Sequence, residues 1–252
     1  FSFAYLEDAT VGLSGEGVAA PAFATSNPPP ETTEAGALFS YGVTTTGILE
    51  GHAATITVVS GLPTWMSLED AGDGTATLTG TPLAEQIGDA VSVELQVTDE
   101  TTGGSGTATF TTSVVAPTSA SAYATSQGVD ANATAPGEDP DGDGAPNLLE
   151  FALGTDPAAA GSRPVTHAAM LTVDGKTHPA LHSLRRAGGT EESGSYSVDG
   201  LTYTVQGSTD LQSWTEPVTA TSSADTSHLP PPPTGYEWTT HHLTHPQTRG
   251  FL

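Results

Sequence analysis

Cysteine is missing from the 252 residues and basic residues are scarce: five Lys and Arg stand against 29 Asp and Glu, for a formal charge of −24. Without Cys there is no disulfide staple and no thiol chemistry, while the compartment stays open because many exported proteins also lack it. A surface this negative repels phosphate backbones and anionic head groups, so nucleic acid and membrane surfaces are poor candidate partners and cations are the natural counterpart. No run of 18 apolar residues occurs, so no membrane-spanning helix is expected. Aromatics are few at 6%, yet 36% hydrophobic residues and 29 Gly are enough for real cores, and the length suits two small domains better than one.

Positive charge is also unevenly placed. The 21 carboxylates up to Ser162 all precede the first basic residue, because Arg163, Lys176, Arg185, Arg186 and Arg249 come later. Those acids must be solvated, hydrogen-bonded or neutralised by a bound cation. The chain opens on Phe1-Ser2-Phe3 without an initiator Met or signal-peptide core and stops on Phe251-Leu252. Both ends read as cuts, so the expectation is a segment of something longer, with 1–21 the tail of a preceding domain or disordered.

What is abundant is Thr, alternating with Val, Leu, Ile and Phe at period two between Gly, Pro and Asp punctuation. That pattern predicts half-buried antiparallel strands at 38–43, 54–59, 75–78, 91–98 and 107–115, spaced as in a β-sandwich. In 91–98 one face carries Val91, Val93, Leu95 and Val97 and the other Ser92, Glu94, Gln96 and Thr98. Trp65, behind Leu62-Pro63, is the expected centre of this core.

The segments Ala37-Leu38-Phe39-Ser40-Tyr41, Gly61-Leu62-Pro63-Thr64-Trp65-Met66-Ser67-Leu68, Leu78-Thr79-Gly80-Thr81-Pro82, Ile87-Gly88 and Val97-Thr98-Asp99 resemble the Ig-like and cadherin-like repeats of large bacterial surface and secreted proteins. The resemblance implies an Ig-like β-sandwich over 22–116 that serves as a spacer or adhesive module. The stretch 117–138, rich in Ala, Ser, Thr, Pro and Gly, has almost no large apolar residue and reads as a linker.

Next comes Asp139-Pro140-Asp141-Gly142-Asp143-Gly144-Ala145-Pro146-Asn147-Leu148-Leu149-Glu150. Its twelve residues place oxygen donors at Asp139, Asp141 and Asp143 (positions 1, 3 and 5), Gly144 at the turn, the Ala145 carbonyl at 7, Asn147 at 9 and Glu150 at 12. This is the pattern of a calcium loop, in which alternate residues of a tight turn point six to eight oxygens at a hard cation. Ca2+ is the expected ion, because Mg2+ demands an octahedral shell and keeps its waters. Pro146 has no N–H with which to bridge to a twin loop, so a single unpaired site is expected. It opens a short apolar helix over 147–153 that Gly154 stops.

The stretch 139–157, ending Glu150-Phe151-Ala152-Leu153-Gly154-Thr155-Asp156-Pro157, resembles dockerin-like and thrombospondin type 3 calcium repeats. It implies a calcium-stabilised joint rather than a sensor; Asp156 reads as a turn residue.

Beyond Arg163 the β pattern returns at 169–173, 184–186, 201–207 and 236–243. The run Leu201-Thr202-Tyr203-Thr204-Val205-Gln206-Gly207-Ser208-Thr209-Asp210-Leu211-Gln212-Ser213-Trp214 resembles the C-terminal β-domain that follows such loops, taken here as 165–252 and cut before its last strand.

The fold expected is therefore all-β: an Ig-like β-sandwich, a calcium loop with one short helix, and a second, smaller β-sandwich-like domain. No nucleophile elbow, zinc-protease motif or phosphate-binding loop is present, and His241, His242 and His245 read as a solvent-exposed run, so no catalysis is expected. Two function classes stay open. One is a non-catalytic, calcium-stabilised structural or adhesive module of an extracellular or cell-surface protein; the other is an accessory carbohydrate- or protein-binding region of a secreted hydrolase.

Overall fold

The structure is a computed structural model, and it describes residues 19–24, 28–221 and 224–244. Most of the expected tail 1–21, the end of the chain and His245 lie outside the described residues.

Eight strands build the first domain: β1 (Ala22–Phe23), β2 (Thr32–Glu34), β3 (Phe39–Thr46), β4 (Ala54–Ser60), β5 (Met66–Asp70), β6 (Thr75–Gly80), β7 (Ala90–Asp99) and β8 (Ser105–Val115). They form two four-stranded sheets, ordered β1-β3-β6-β5 and β2-β8-β7-β4. All pairings are antiparallel except that of β2 with β8. The chain thus pairs first with β3 and then crosses to lie parallel to its last strand. Lettered A to G along the chain, with β1 and β2 as the two halves A and A′ of the first strand, the sheets are A-B-E-D and A′-G-F-C, the immunoglobulin-like arrangement.

The core is made by alternation. Val91, Val93, Leu95 and Val97 of β7 face Phe39, Tyr41 and Val43 of β3 and Leu78 of β6 within one buried cluster. Trp65 is not its centre. It packs against the cluster half-buried, edge-on to Phe39 at 6.2 Å, because the Leu62-Pro63 turn leaves it at the sandwich margin. The fully enclosed places go to Ile56, Leu78, Leu95 and Val97.

Asp99, 1% exposed in this cation-poor domain, is satisfied without Lys or Arg. One oxygen accepts from the Thr101 and Thr102 amides, both at 2.9 Å, and the other meets His52 Nδ1 at 2.9 Å. The His52 bond, followed by the Thr102 amide, lowers its pKa to about 2.

The segment 117–138 is not a bare linker. It contains helix α1 (Ala120–Ser126), N-capped by Ser119, whose Oγ accepts from the Ala122 amide at 3.2 Å. Ala120, Tyr123 and Ala124 are buried. Small residues suit this place because the helix lies directly on the first domain: a Cβ on Gly36 (φ +77°) would come within 1.8 Å of the Ala122 carbonyl oxygen. One aromatic side chain, Tyr123, is enough to make the segment structural.

Helix α2 (Asn147–Leu153) follows, and then the second domain: β9 (His167–Val173), β10 (Lys176–Arg186), β11 (Thr190–Glu192), β12 (Ser195–Val198), β13 (Leu201–Thr204), β14 (Val218–Thr221) and β15 (Tyr236–Leu243). Its sheets are ordered β14-β15-β10-β9 and β11-β12-β13. The fold is all-β with two short α-helices where the sequence reading had one. Strand β10 is far longer than the expected 184–186. Pro179 hides it, being tolerated because pairing with β15 begins only at Ala180.

Two substitutions probe this frame in denaturant unfolding. Leu95→Ala is expected to destabilise the first domain by about 2–5 kcal/mol through the cavity it leaves. Gly36→Ala should cost about 1–3 kcal/mol in backbone strain and raise protease cleavage within 117–138, as α1 is forced off its seat.

Candidate metal centre

The acidic loop is shaped by its own backbone amides. Asp139 accepts from the Gly142 and Gly144 amides with its two oxygens, both at 2.9 Å; Asp141 accepts from the Asp143 amide at 3.1 Å, and Asp143 from the Ala145 amide at 2.8 Å. These are successive Asx turns. Gly142 (φ +75°) and Gly144 (φ +94°) supply the left-handed steps that curl the loop. One carboxylate oxygen from each of Asp139, Asp141 and Asp143 falls within 4.8 Å of the others.

Asn147 and Glu150, both fully buried, lie on α2. The Asn147 amide nitrogen donates to the Ala133 and Ala135 carbonyls, each at 2.8 Å, which fixes the ring-less amide plane and turns Oδ1 away from both. Glu150 Oε1 accepts weakly from the Thr155 hydroxyl at 3.3 Å. Four oxygens are then left buried without a hydrogen-bond partner: Asp141 Oδ2, Asp143 Oδ2, Asn147 Oδ1 and Glu150 Oε2. Arg163 Nε stands 3.9 Å from Asp143 Oδ2, too far for a hydrogen bond, and its side chain is 67% exposed. Burial, and next the neighbouring charge of Asp141, raises the Glu150 pKa to about 7. Contrast Asp99, equally buried, whose oxygens all have donors. Ala145, at the seventh place, is buried too. Asp156 keeps to turn duty, accepting from the Ala158 amide at 2.9 Å.

Helix α2 ends at Gly154 in the left-handed conformation (φ +72°). Three tyrosine hydroxyls hold this end, each donating to a carbonyl: Tyr236 to Phe151 at 2.6 Å, Tyr203 to Ala152 at 2.6 Å, and Tyr123 to Thr155 at 2.8 Å. They come from β15, β13 and α1, so two strands of the second domain and the helix from the former linker grip α2. Phe151, 1% exposed, forms a cluster with Ala120, Tyr123 and Tyr236. Arg186 lies over its ring at 4.5 Å, donates to Asp199 Oδ2 at 2.8 Å and reaches the Pro117 carbonyl at 2.7 Å. Leu148 and Leu149 stay 45% and 42% exposed, so Phe151 carries the docking. Sequence order gives no hint of this grip; the only cue is Tyr at three points otherwise rich in small residues.

The histidines are not a solvent-exposed run. His242 is buried, beside His178 with ring centroids 5.3 Å apart, and His241 is half-buried. His242 packs beside His178, and His241 on the other face lies partly covered beside α2, so alternation delivers neither side chain fully to water. Burial lowers the pKa of both. Among the described residues the one group of three or more His or acidic side chains whose donor atoms converge as a metal site requires is the Asp139, Asp141 and Asp143 trio.

No family model matches the sequence, and no curated protein matches it. Among solved structures, an endo-fucoidan hydrolase of glycoside hydrolase family 107 shares 28% identity over 44% of this chain and 16% of that one, with a TM-score of 0.33. The titin M3 domain matches at 15% identity over 38% of this chain and 97% of its own, TM-score 0.28. The sialic acid binding region of a Streptococcus sanguinis SK1 adhesin matches at 9% identity over 91% of this chain and 70% of that one, TM-score 0.31. This chain spans only a small part of the hydrolase, and overlaps this loose assign no activity to it.

Tyr236→Phe removes one grip on α2 while keeping the ring. It should destabilise the second domain by about 1–3 kcal/mol, the usual cost of stranding a buried carbonyl, and calorimetry should show the transition of the first domain unmoved.

Proposed function

We propose that the chain is a non-catalytic, extracellular structural or adhesive module in which one Ca2+, held by the 139–150 loop, stiffens the junction between an Ig-like sandwich and a second β-domain. The observation that carries this reading is the set of four buried acceptors with no donor, at loop positions 3, 5, 9 and 12. Leaving a carboxylate buried and unpartnered is costly, and a proton on Glu150 would relieve one acceptor where a shared cation would satisfy all four together. Asp139 and the Ala145 carbonyl would complete a set of six protein oxygens, and a glutamate at the end of the loop suits the larger, irregular shell of Ca2+ over the octahedron of Mg2+.

The same residues explain what the ion would do. Asn147 ties the preceding segment to α2, Glu150 closes the loop, and one residue further on Phe151 enters the core of the second domain. An ordered loop therefore fixes the helix on which that core is assembled. Losing the ion reaches further than the joint itself: it withdraws support from the Phe151 cluster while the Ig-like core, built elsewhere, is untouched. Ion binding and local folding become one event.

Calorimetry with and without chelator tests this. Calcium is expected to raise the melting transition of the second domain and leave that of the first in place, with protease cleavage in 130–157 suppressed. Glu150→Gln should weaken calcium affinity at least tenfold, and Asp156→Asn should leave it unchanged. If chelator moves neither the second transition nor the cleavage pattern, the reading fails.

A further inference from the structure

The second domain carries two adjoining cavities, of about 370 and 480 Å3, that share Arg185, Glu191 and Thr239. Each falls in the size range of small-molecule sites. The first is walled by Leu149, Ala152 and Leu153 of α2 and by β13, and the second opens toward β14. Their common floor is one face of the β10–β15 pair. Register sets Leu181 opposite His241, Ser183 opposite Thr239 and Arg185 opposite Glu237, and directly opposed residues of an antiparallel pair share a face.

Arg185 is fixed in advance. It bonds Glu191 at 2.6 Å and Glu237 at 2.8 Å and stacks 3.5 Å from the centre of the Tyr196 ring. Beside it, His241 Nδ1 is buried without a partner, and neither the Ser183 nor the Thr239 hydroxyl takes a side-chain hydrogen bond among the described residues. Burial, and next the adjacent Arg185, lower the His241 pKa, which favours the neutral ring that donates from one nitrogen and accepts at the other. The floor therefore offers donors and acceptors in alternation at close spacing, next to the apolar wall of α2.

That mixture selects a ligand class. The overall charge of −24 disfavours an anion, and with Arg185, Glu191 and Glu237 bonded to one another a charged ligand of either sign would have to break that pairing to find a counter-charge. A purely apolar ligand would strand the floor hydroxyls. A peptide adding as a strand needs an open sheet edge, and this groove lies on a sheet face. What remains is a neutral molecule with vicinal hydroxyls and an apolar C–H surface. We propose that this groove binds a neutral oligosaccharide, whose hydroxyls bridge Ser183, Thr239 and His241 while its C–H face lies along Leu149 and Leu153. The inference goes beyond the cation reading and does not depend on it.

The test is an NMR titration of the whole chain in calcium with neutral tetrasaccharides: β-1,4- and β-1,3-glucan, α-1,4-glucan, β-1,4-mannan and β-1,4-xylan, with a sulfated and a polyuronate oligosaccharide as anionic counterparts. At least one neutral member should shift amides 181–185 and 237–241 with millimolar or tighter affinity. The Ser183→Ala/Thr239→Val double variant should lose at least about tenfold in affinity, as expected for one or two hydrogen bonds, at an unchanged melting temperature. Absence of shifts with every neutral member, preference for an anionic one, or unchanged affinity in the folded double variant overturns the proposal. Amides 139–150 report the cation separately, so failure of one reading is distinct from failure of the other.

Discussion

Helix α2 is gripped at both ends, and the second half of the molecule is organised around that grip. Its first turn carries Asn147 and Glu150, buried acceptors that face an acidic loop. Two carbonyls of its last turn, Phe151 and Ala152, and that of Thr155 just beyond it accept from three tyrosines on three different elements. Seven residues are too few to be helical alone in water. The helix exists because tertiary contacts satisfy the backbone groups its own length cannot, and Phe151 makes it a core element rather than a connector.

The two domains solve the same shortage of positive charge differently. In the Ig-like sandwich the single deeply buried acid, Asp99, is neutralised by backbone amides and one histidine, and the structure there is complete. In the loop the amides are spent on shaping the turn, and one buried oxygen each of Asp141, Asp143 and Glu150 is left over. Among the described basic residues Arg163 comes only to 3.9 Å from Asp143 and stays exposed, while Arg185 and Arg186 are committed to Glu191, Glu237, Asp199 and the Pro117 carbonyl. The proposed cation and the scarcity of Lys and Arg are thus two aspects of one charge distribution.

Arg186 also shows how the halves are joined. Its guanidinium touches the end of the first domain at Pro117, the second domain at Asp199 and the α2 ring of Phe151 together. With α1 seated on Gly36, the segment between domains is a packed wedge rather than a tether. A module held in this way presents the groove beside α2 in a fixed relation to the Ig-like sandwich, which is the geometry a spacer that also binds would need.

Much of this was legible before folding was considered. Period-two alternation located five of the eight strands of the sandwich to within three residues, because each buries one face only, and passed over the short β1, β2 and β5. The loop spacing put Asp139, Asp141 and Asp143 together and placed α2 at 147–153, because oxygen spacing, positive-φ glycines and a helix stop are all local rules. What alternation could not reveal was the burial of His242 and part of His241 on β15, the length of β10 behind Pro179, and α1 within a run of small residues. Nor could it show Trp65 at the margin, or three tyrosines far apart in the chain converging on one helix end. Local sequence dictated which segments extend, curl or coil; only the packed structure decided which polar atoms found donors, because that depends on neighbours up to 85 residues away in the chain.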